Sequence, residues 1–159
     1  MVDHPASAIV IRPARVDDVG FLVDCNAAMA WETEHKRLDH ALLTRGVAAV
    51  FATDRHGFYL IAERAGERVG CLLITREWSD WRCGDWWWIQ SVYVLEPARR
   101  SGVFRALHAD VEQRAQAATG VVGLRLYVER ENTRAQSTYS ALGMVDAGYQ
   151  MFEREFPPR

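Results

Sequence analysis

Between about Asp85 and Leu142 the chain alternates strand and helix patterns, and this alternation limits the fold more than any other feature of the sequence. A long strand from about Asp85 to Leu95 leads into a helix marked by Val103, Phe104, Leu107, Val111 and Ala115. A strand over Val122 to Val128 and a helix marked by Ala135, Tyr139 and Leu142 follow. Gly143 is placed to end that helix, and Met144 to Phe156 are expected to return as a final strand. Strand, helix, strand, helix, strand is the grammar of βαβ units. The first half reads differently. Ile9 to Ile11 form a short strand ended by Pro13, and Val19, Leu22, Val23, Asn26, Met29 and Ala30 recur at helical spacing. A second helix is expected around Leu38 to Phe51. Phe58 to Glu63 and Val69 to Thr75 pair as antiparallel strands through a turn at Ala65-Gly66-Glu67, and a polar, Trp-bearing loop leads to the long strand.

With 159 residues the chain is the size of one ordinary domain, large enough to bury a core without disulfides or metals. Apolar residues make up 49% and charged residues 25%, a globular balance, and neither a repeat nor a linker interrupts it. A formal net charge of -2 argues against a nucleic-acid partner, which favours a basic surplus; Arg99 and Arg100 form a local exception. Cys25, Cys71 and Cys83 are odd in number and widely spaced, so they read as reduced thiols instead of a disulfide framework or a zinc site. Met1 to Ala14 lack the pattern of a charged leader followed by an apolar stretch, and no run approaches the roughly 20 apolar residues of a membrane span. A cytoplasmic protein with no membrane partner is the expectation.

Ile89 to Leu107 deliver a strand through a polar loop into a helix N-terminus. The first backbone N–H groups of a helix have no partner within it, and the helix dipole adds partial positive charge, so such a junction can hold a pyrophosphate. Gly102 allows close backbone approach, and Arg99 and Arg100 can grip phosphate oxygens in forked geometry. The plainer reading is a solvated loop capping an ordinary helix. The loop matches neither G-x-x-x-x-G-K-[ST] nor G-x-G-x-x-G, so neither a P-loop nor a dinucleotide fold is supported.

A second segment, Leu126 to Met144, accompanies the first, and together they resemble the GNAT acetyltransferases. That family has a strand ending in V-x-V, then [RQ]-x-x-G-x-[GA] opening a helix, and about thirty residues later N-x-x-A and a Tyr before L-G-[FM]. Here these are Val92 and Val94; Arg99, Arg100, Ser101, Gly102, Val103 and Phe104; Asn132 and Ala135; Tyr139; and Leu142-Gly143-Met144. The order of elements outside the motifs also matches. The resemblance implies a mixed, mostly antiparallel central sheet flanked by about four helices, with a splayed V-x-V strand and a βαβ C-terminal half, in a single domain over residues 1–159.

It also implies roles. Val92, Tyr93 and Val94 would receive the pantetheine arm of acetyl-CoA like an added strand. The N–H of Val92 would stabilise the oxyanion that forms as the amine attacks. Asn132 reads as an N-cap, to which the resemblance adds a contact with the cofactor arm shared with Ala135. Tyr139, on a helical face with Ala135 and Leu142, reads as a core aromatic by spacing alone; the resemblance makes its phenol the acid that protonates the departing thiolate.

The chain departs from the family in two places. Phe104 stands where Gly or Ala is usual, and its side chain is expected to pack in the core with Leu107 and Val111. No carboxylate stands on Trp86-Trp87-Trp88-Ile89-Gln90, where many relatives carry a glutamate as general base. An ammonium of pKa about 10.4 leaves about one amine in 2,500 neutral at pH 7, so a proton acceptor is needed. Glu32 and Glu34, after the first helix, are the candidates; they read equally as exposed carboxylates at a helix end, and a two-residue step lets only one face the cleft. Strand alternation sends Trp86 and Trp88 one way and Trp87 the other, one side into the core. The remaining tryptophans would wall an acceptor pocket, hold a cation or form a homodimer surface. The expected activity is direct acetyl transfer from acetyl-CoA to a primary amine of a small molecule or peptide in a ternary complex, without a metal. A non-catalytic acyl-CoA-binding module is the alternative.

Overall fold

The computed structural model describes residues 8–157. Its elements are β1 (Ile9–Pro13), α1 (Val19–Glu34), α2 (His40–Ala52), β2 (Phe58–Arg64), β3 (Glu67–Ser79), β4 (Gly84–Val94), α3 (Val103–Ala117), β5 (Val121–Arg125) and α4 (Thr133–Ala141). The described residues fall into two compact units, one up to Leu126 and one from Tyr127 onward. No helix among them is long and apolar enough to cross a membrane.

In the first unit the five strands lie in sequence order. β1 to β4 pair antiparallel, and β5 joins β4 in parallel after α3, as the βαβ pattern requires. Strand alternation gives the sheet two buried faces. Leu60, Ala62, Leu72, Ile74, Trp87 and Ile89 meet Val103, Leu107 and Val111 of α3. Tyr59, Ile61 and Cys71 meet Leu22, Val23 and Cys25 of α1 and Val47 of α2 on the other side. Leu107 and Val111 are fully buried, so trimming Leu107 to Ala would cost about 2–5 kcal/mol. Asp18, also buried, ties the two halves of the unit together: it accepts from Arg12 at 2.7 and 3.0 Å, from the Arg15 backbone at 2.8 Å and from Arg68 at 3.3 Å. The Arg12 guanidinium holds its carboxyl down at about 2.

Three sequence expectations are corrected. The Trp-bearing loop is not a loop: β3 and β4 stay paired through Trp78–Asp85 and Ser79–Gly84, leaving only a four-residue turn over 80–83. The pairing of Glu77 with Trp86 and Thr75 with Trp88 supplies cross-strand contacts that keep the hairpin extended. Phe104 is half-buried beside His108, their rings 6.1 Å apart, and Val103 takes the core position in register with Leu107, Val111 and Ala115.

The third correction lies in the second unit. α4 forms as expected and ends at Gly143, where φ of +83° suits a residue without a Cβ and the Met144 N–H returns to the Tyr139 carbonyl at 3.1 Å. Met144 to Phe156, expected as a strand, form no strand or helix, and Val145, Tyr149, Met151, Phe152 and Phe156 are exposed. Strand propensity describes how residues fit a pleated, partly buried surface; without a paired neighbour it does not make a strand.

Candidate active site

β4 changes partners along its length. From Asp85 to Trp88 it pairs with β5 over Val121 to Arg125 on one side and with β3 on the other. Beyond Trp88 the β5 pairing stops, while β3 continues to pair with β4 as far as Val94. Opposite the step between Leu73 and Ile74, Ser91 and Ile89 are the paired residues, so Gln90 is an extra residue in β4. A bulge of this kind turns a strand and ends regular pairing. Residues 89–94 therefore leave one backbone edge without a strand partner among the described residues. Val92 and Val94 lean toward the α3 side of the sheet, and Tyr93 toward the α1 side.

The edge leads to the N-terminus of α3. Gly102 is the N-cap with φ of +87°, no side chain caps the helix, and Arg100 is also left-handed at φ of +59°. Amide groups of Val103 and Phe104 thus open the helix without a side-chain acceptor, next to Arg99, Arg100 and Ser101. A further cation enters from β2: Arg64 donates to the Ser101 hydroxyl at 2.6 Å and carbonyl at 3.2 Å. No local signal marks Arg64, because 37 residues separate it from Ser101.

Glu32 and Glu34 part company. Glu34 turns away to an ion pair with Lys36 at 2.6 Å. Glu32 reaches the end of β4, where one carboxylate oxygen accepts the Tyr93 hydroxyl at 2.7 Å and the other accepts Arg99 Nη2 at 2.7 Å. Arg99 also donates from Nε to the Val94 carbonyl at 3.0 Å and lies over the Tyr93 ring. Helix α1, strand β4 and the loop before α3 are joined by this one cluster. The Tyr93 hydroxyl and Arg99 hold the Glu32 carboxyl below its ordinary range, and burial with the Glu32 contact pushes the Tyr93 phenol up to about 12.

On the same sheet face as Tyr93, further along β4, Gln90 donates to the Thr75 hydroxyl at 2.8 Å and Trp88 Nε1 donates to Glu77 at 2.5 Å. Arg125 donates to the other Glu77 oxygen at 2.9 Å and lies 4.1 Å over the Trp86 ring. Trp87 faces the opposite way into the core, as alternation requires. β3 places a carboxylate, Glu77, beside Trp88, a neighbour visible only once the strand register is known.

In the second unit Asn132 is the N-cap of α4, its side-chain oxygen accepting the Ala135 N–H at 3.0 Å. Ala135 and Tyr139 lie one turn apart and are partly buried. Burial raises the Tyr139 phenol above its ordinary range, so it stays protonated through neutral pH.

The model of the Acetyltransferase (GNAT) family matches residues 22–144. The chain therefore belongs to the GNAT family of acetyltransferases. The structure of a possible acetyltransferase from Clostridium difficile 630 is 41% identical, covering 94% of this chain and 99% of that one with a TM-score of 0.88. The aminoglycoside N-acetyltransferase AAC(6')-Iy in complex with CoA shares the fold at 20% identity, 98% and 99% coverage and a TM-score of 0.77. The ribosomal-protein-alanine N-acetyltransferase from Brucella melitensis biovar Abortus 2308 does so at 17% identity, 94% and 100% coverage and a TM-score of 0.73. None of the curated proteins matches the sequence.

Proposed function

We propose that this acetyltransferase passes the acetyl group of acetyl-CoA directly to a primary amine in a ternary complex. The observation that carries the reading is the open edge of β4 over residues 89–94, which ends at the uncapped N-terminus of α3. The neighbour that binds CoA on the same fold supports the same cofactor here. The pantetheine arm would lie along Val92, Tyr93 and Val94 as an added strand. Its pyrophosphate would sit on the amides of Gly102, Val103 and Phe104, with Arg99, Arg100 and Ser101 at its side and Arg64 behind Ser101. The family resemblance adds Asn132 and Ala135 as further contacts to the arm.

In the transfer, the amine lone pair attacks the thioester carbonyl carbon. The Val92 N–H stabilises the oxyanion, the C–S bond breaks, and Tyr139 gives its proton to the departing thiolate. Of the two candidate bases, Glu32 is the one that reaches β4 and would attract the ammonium and take its proton; Glu34 is engaged by Lys36. A carboxylate held low is a weak base, so the rate should climb with pH toward the pKa of the amine. The family match runs across both compact units, which supports reading the chain as a single catalytic domain. Three free thiols suit a reducing compartment and hence the cytoplasm.

The test is release of CoA thiol from acetyl-CoA against panels of polyamines, aminoglycosides, amino acids and peptide N-termini, with mass spectrometry of the product. Turnover with an acetylated amine is expected. Acetyl-CoA binding by calorimetry with no turnover of any amine would instead establish a non-catalytic binding module.

A further inference from the structure

We propose that Arg99 is a strap shared between the two substrates: in the free protein it binds Glu32 and the last carbonyl of the open β4 edge, and acetyl-CoA draws it to the pyrophosphate, releasing both. The proposal rests on the acetyl-transfer reading above and adds a coupling between the cofactor and the acceptor amine.

The strand pairing determines what Arg99 covers. Residues of an antiparallel pair alternate between exchanging hydrogen bonds with the partner strand and turning their N–H and C=O groups away from it. The Leu95 N–H donates to the Val69 carbonyl at 2.9 Å, so Leu95, and with it Tyr93 and Ser91 at steps of two, face β3. Val92 and Val94 therefore turn their backbone groups to the open edge. Arg99 Nε donates to the Val94 carbonyl at 3.0 Å, which puts the guanidinium on that edge, over the Tyr93 ring. An arm laid along Val92 to Val94 meets it there.

Charge holds the other end of the strap. Nη2 of Arg99 donates to one Glu32 oxygen at 2.7 Å, and the second oxygen accepts the Tyr93 hydroxyl at 2.7 Å. The Arg99 and Glu32 side chains are 40% and 42% exposed, so the pair is open to water and no packing locks it. Such a pair contributes little stability and is easily exchanged for a better partner. Arg99 stands three residues before Gly102, the N-cap of α3. A diphosphate bound at the α3 amides offers it more negative charge and forked acceptor oxygens.

The exchange changes Glu32. Paired with Arg99 and Tyr93, its carboxyl is held below the ordinary range and is a weak base. The other groups that bear on the cluster are Glu96, which acts on Arg99 from the loop before α3, and Cys25 of α1, which acts on Tyr93. None of these is a second cation. Once Arg99 leaves, the acceptor ammonium is the cation that takes its place, and Glu32 becomes the stronger base that the transfer needs. By linkage, each substrate then binds more tightly when the other is present.

The test is CoA affinity by calorimetry at neutral pH in four proteins: wild type, Glu32→Gln, Arg99→Ala and the double variant. Glu32→Gln keeps an acceptor for the Tyr93 hydroxyl and removes the competing charge, so CoA should bind roughly two- to fivefold more tightly, the worth of an exposed ion pair. In the Arg99→Ala background the same change should have no effect. Carbon-13 NMR of the Glu32 carboxyl should find it titrating at higher pH with CoA bound than without. Unchanged or weaker CoA binding in Glu32→Gln overturns the strap, because Glu32 would then hold Arg99 in place for the pyrophosphate. Tightening that persists without Arg99 overturns it in favour of plain repulsion between carboxylate and cofactor. A carboxyl that titrates alike in both states means that the pair survives binding, and likewise overturns it. These three results leave the cofactor site and acetyl transfer intact, whereas failure of the wild type to bind CoA removes that reading as well.

Discussion

The two ends of β4 are built from neighbouring residues and do opposite things. At the Asp85 end the strand has partners on both sides, and its side chains lock one another through Glu77, Trp88, Arg125 and Trp86. At the Val94 end one edge has no strand partner among the described residues, and the strand is held from outside the sheet by Glu32 and Arg99. The transition takes place at Gln90, where a single extra residue breaks the register. An enzyme that adds a cofactor to a sheet needs both conditions. The closed end fixes the geometry, and in the proposed reading the open end would offer its backbone to the pantetheine arm.

The largest effect is expected at the proposed acid. Tyr139→Phe removes one hydroxyl and keeps the ring, so turnover should fall by roughly 10²- to 10⁴-fold while acetyl-CoA affinity changes little. Because burial raises the Tyr139 phenol, the alkaline limb of the wild-type rate profile should lie on the high side of a free phenol's, and the variant should lack it. Full turnover in the variant would remove Tyr139 as the acid. Next comes the anchor of the open end. Gly102→Glu, and Arg99→Ala with Arg100→Ala, should each weaken acetyl-CoA binding by roughly ten- to a hundredfold in calorimetry without unfolding the protein. Unchanged affinity in both would mean the open edge is not a cofactor site.

The closed end should break by packing. A Cβ at Gly123 would lie 2.4 Å from the Trp86 ring, so Gly123→Val should cost about 1–3 kcal/mol of stability in urea unfolding and displace Arg125. Normal stability would show that this end has slack. At the open end Glu32→Gln should let the Tyr93 phenol titrate by absorbance below its value of about 12, though still above 10 because burial remains. Turnover should fall roughly tenfold at low pH and less as pH rises. An unaltered rate profile would send the search for a base elsewhere.

The smallest effect lies outside both ends. Burial holds the His108 imidazole below its ordinary range, and its Nε2 has no hydrogen-bond partner among the described residues. As pH falls below about 6.5 the unfolded chain takes up a proton that the folded chain resists, so stability is full above that pH and declines below it. His108→Met should flatten this part of the stability curve, measured by urea midpoints at pH 5 and 7.5.

The helices and strands were legible because periodicity reports burial. Val103, Leu107 and Val111, and the alternation through Trp86, Trp87 and Trp88, state their faces directly, and the motif residues from Val92 to Phe104 and from Asn132 to Leu142 stand in consecutive runs. Asn132 could be read as a cap for the same reason, since its partner is three residues away. The sequence left Glu32 and Glu34 level as candidates. It contained no trace of Arg64 beside Ser101, or of Glu77 between Trp88 and Arg125.

What the sequence by itself determined is what is encoded within one or two turns of chain: the helices, the cores of the first five strands, most of the buried stripes and the N-terminus of α3. Tertiary structure alone decided where β4 loses its partner, which carboxylate reaches Tyr93, and that residues 144–157 form no strand. Local propensity acts through contacts within a few residues. The register of one strand on another, and the meeting of side chains 37 to 67 residues apart, are fixed only when the whole sheet and the helices that cover it are assembled.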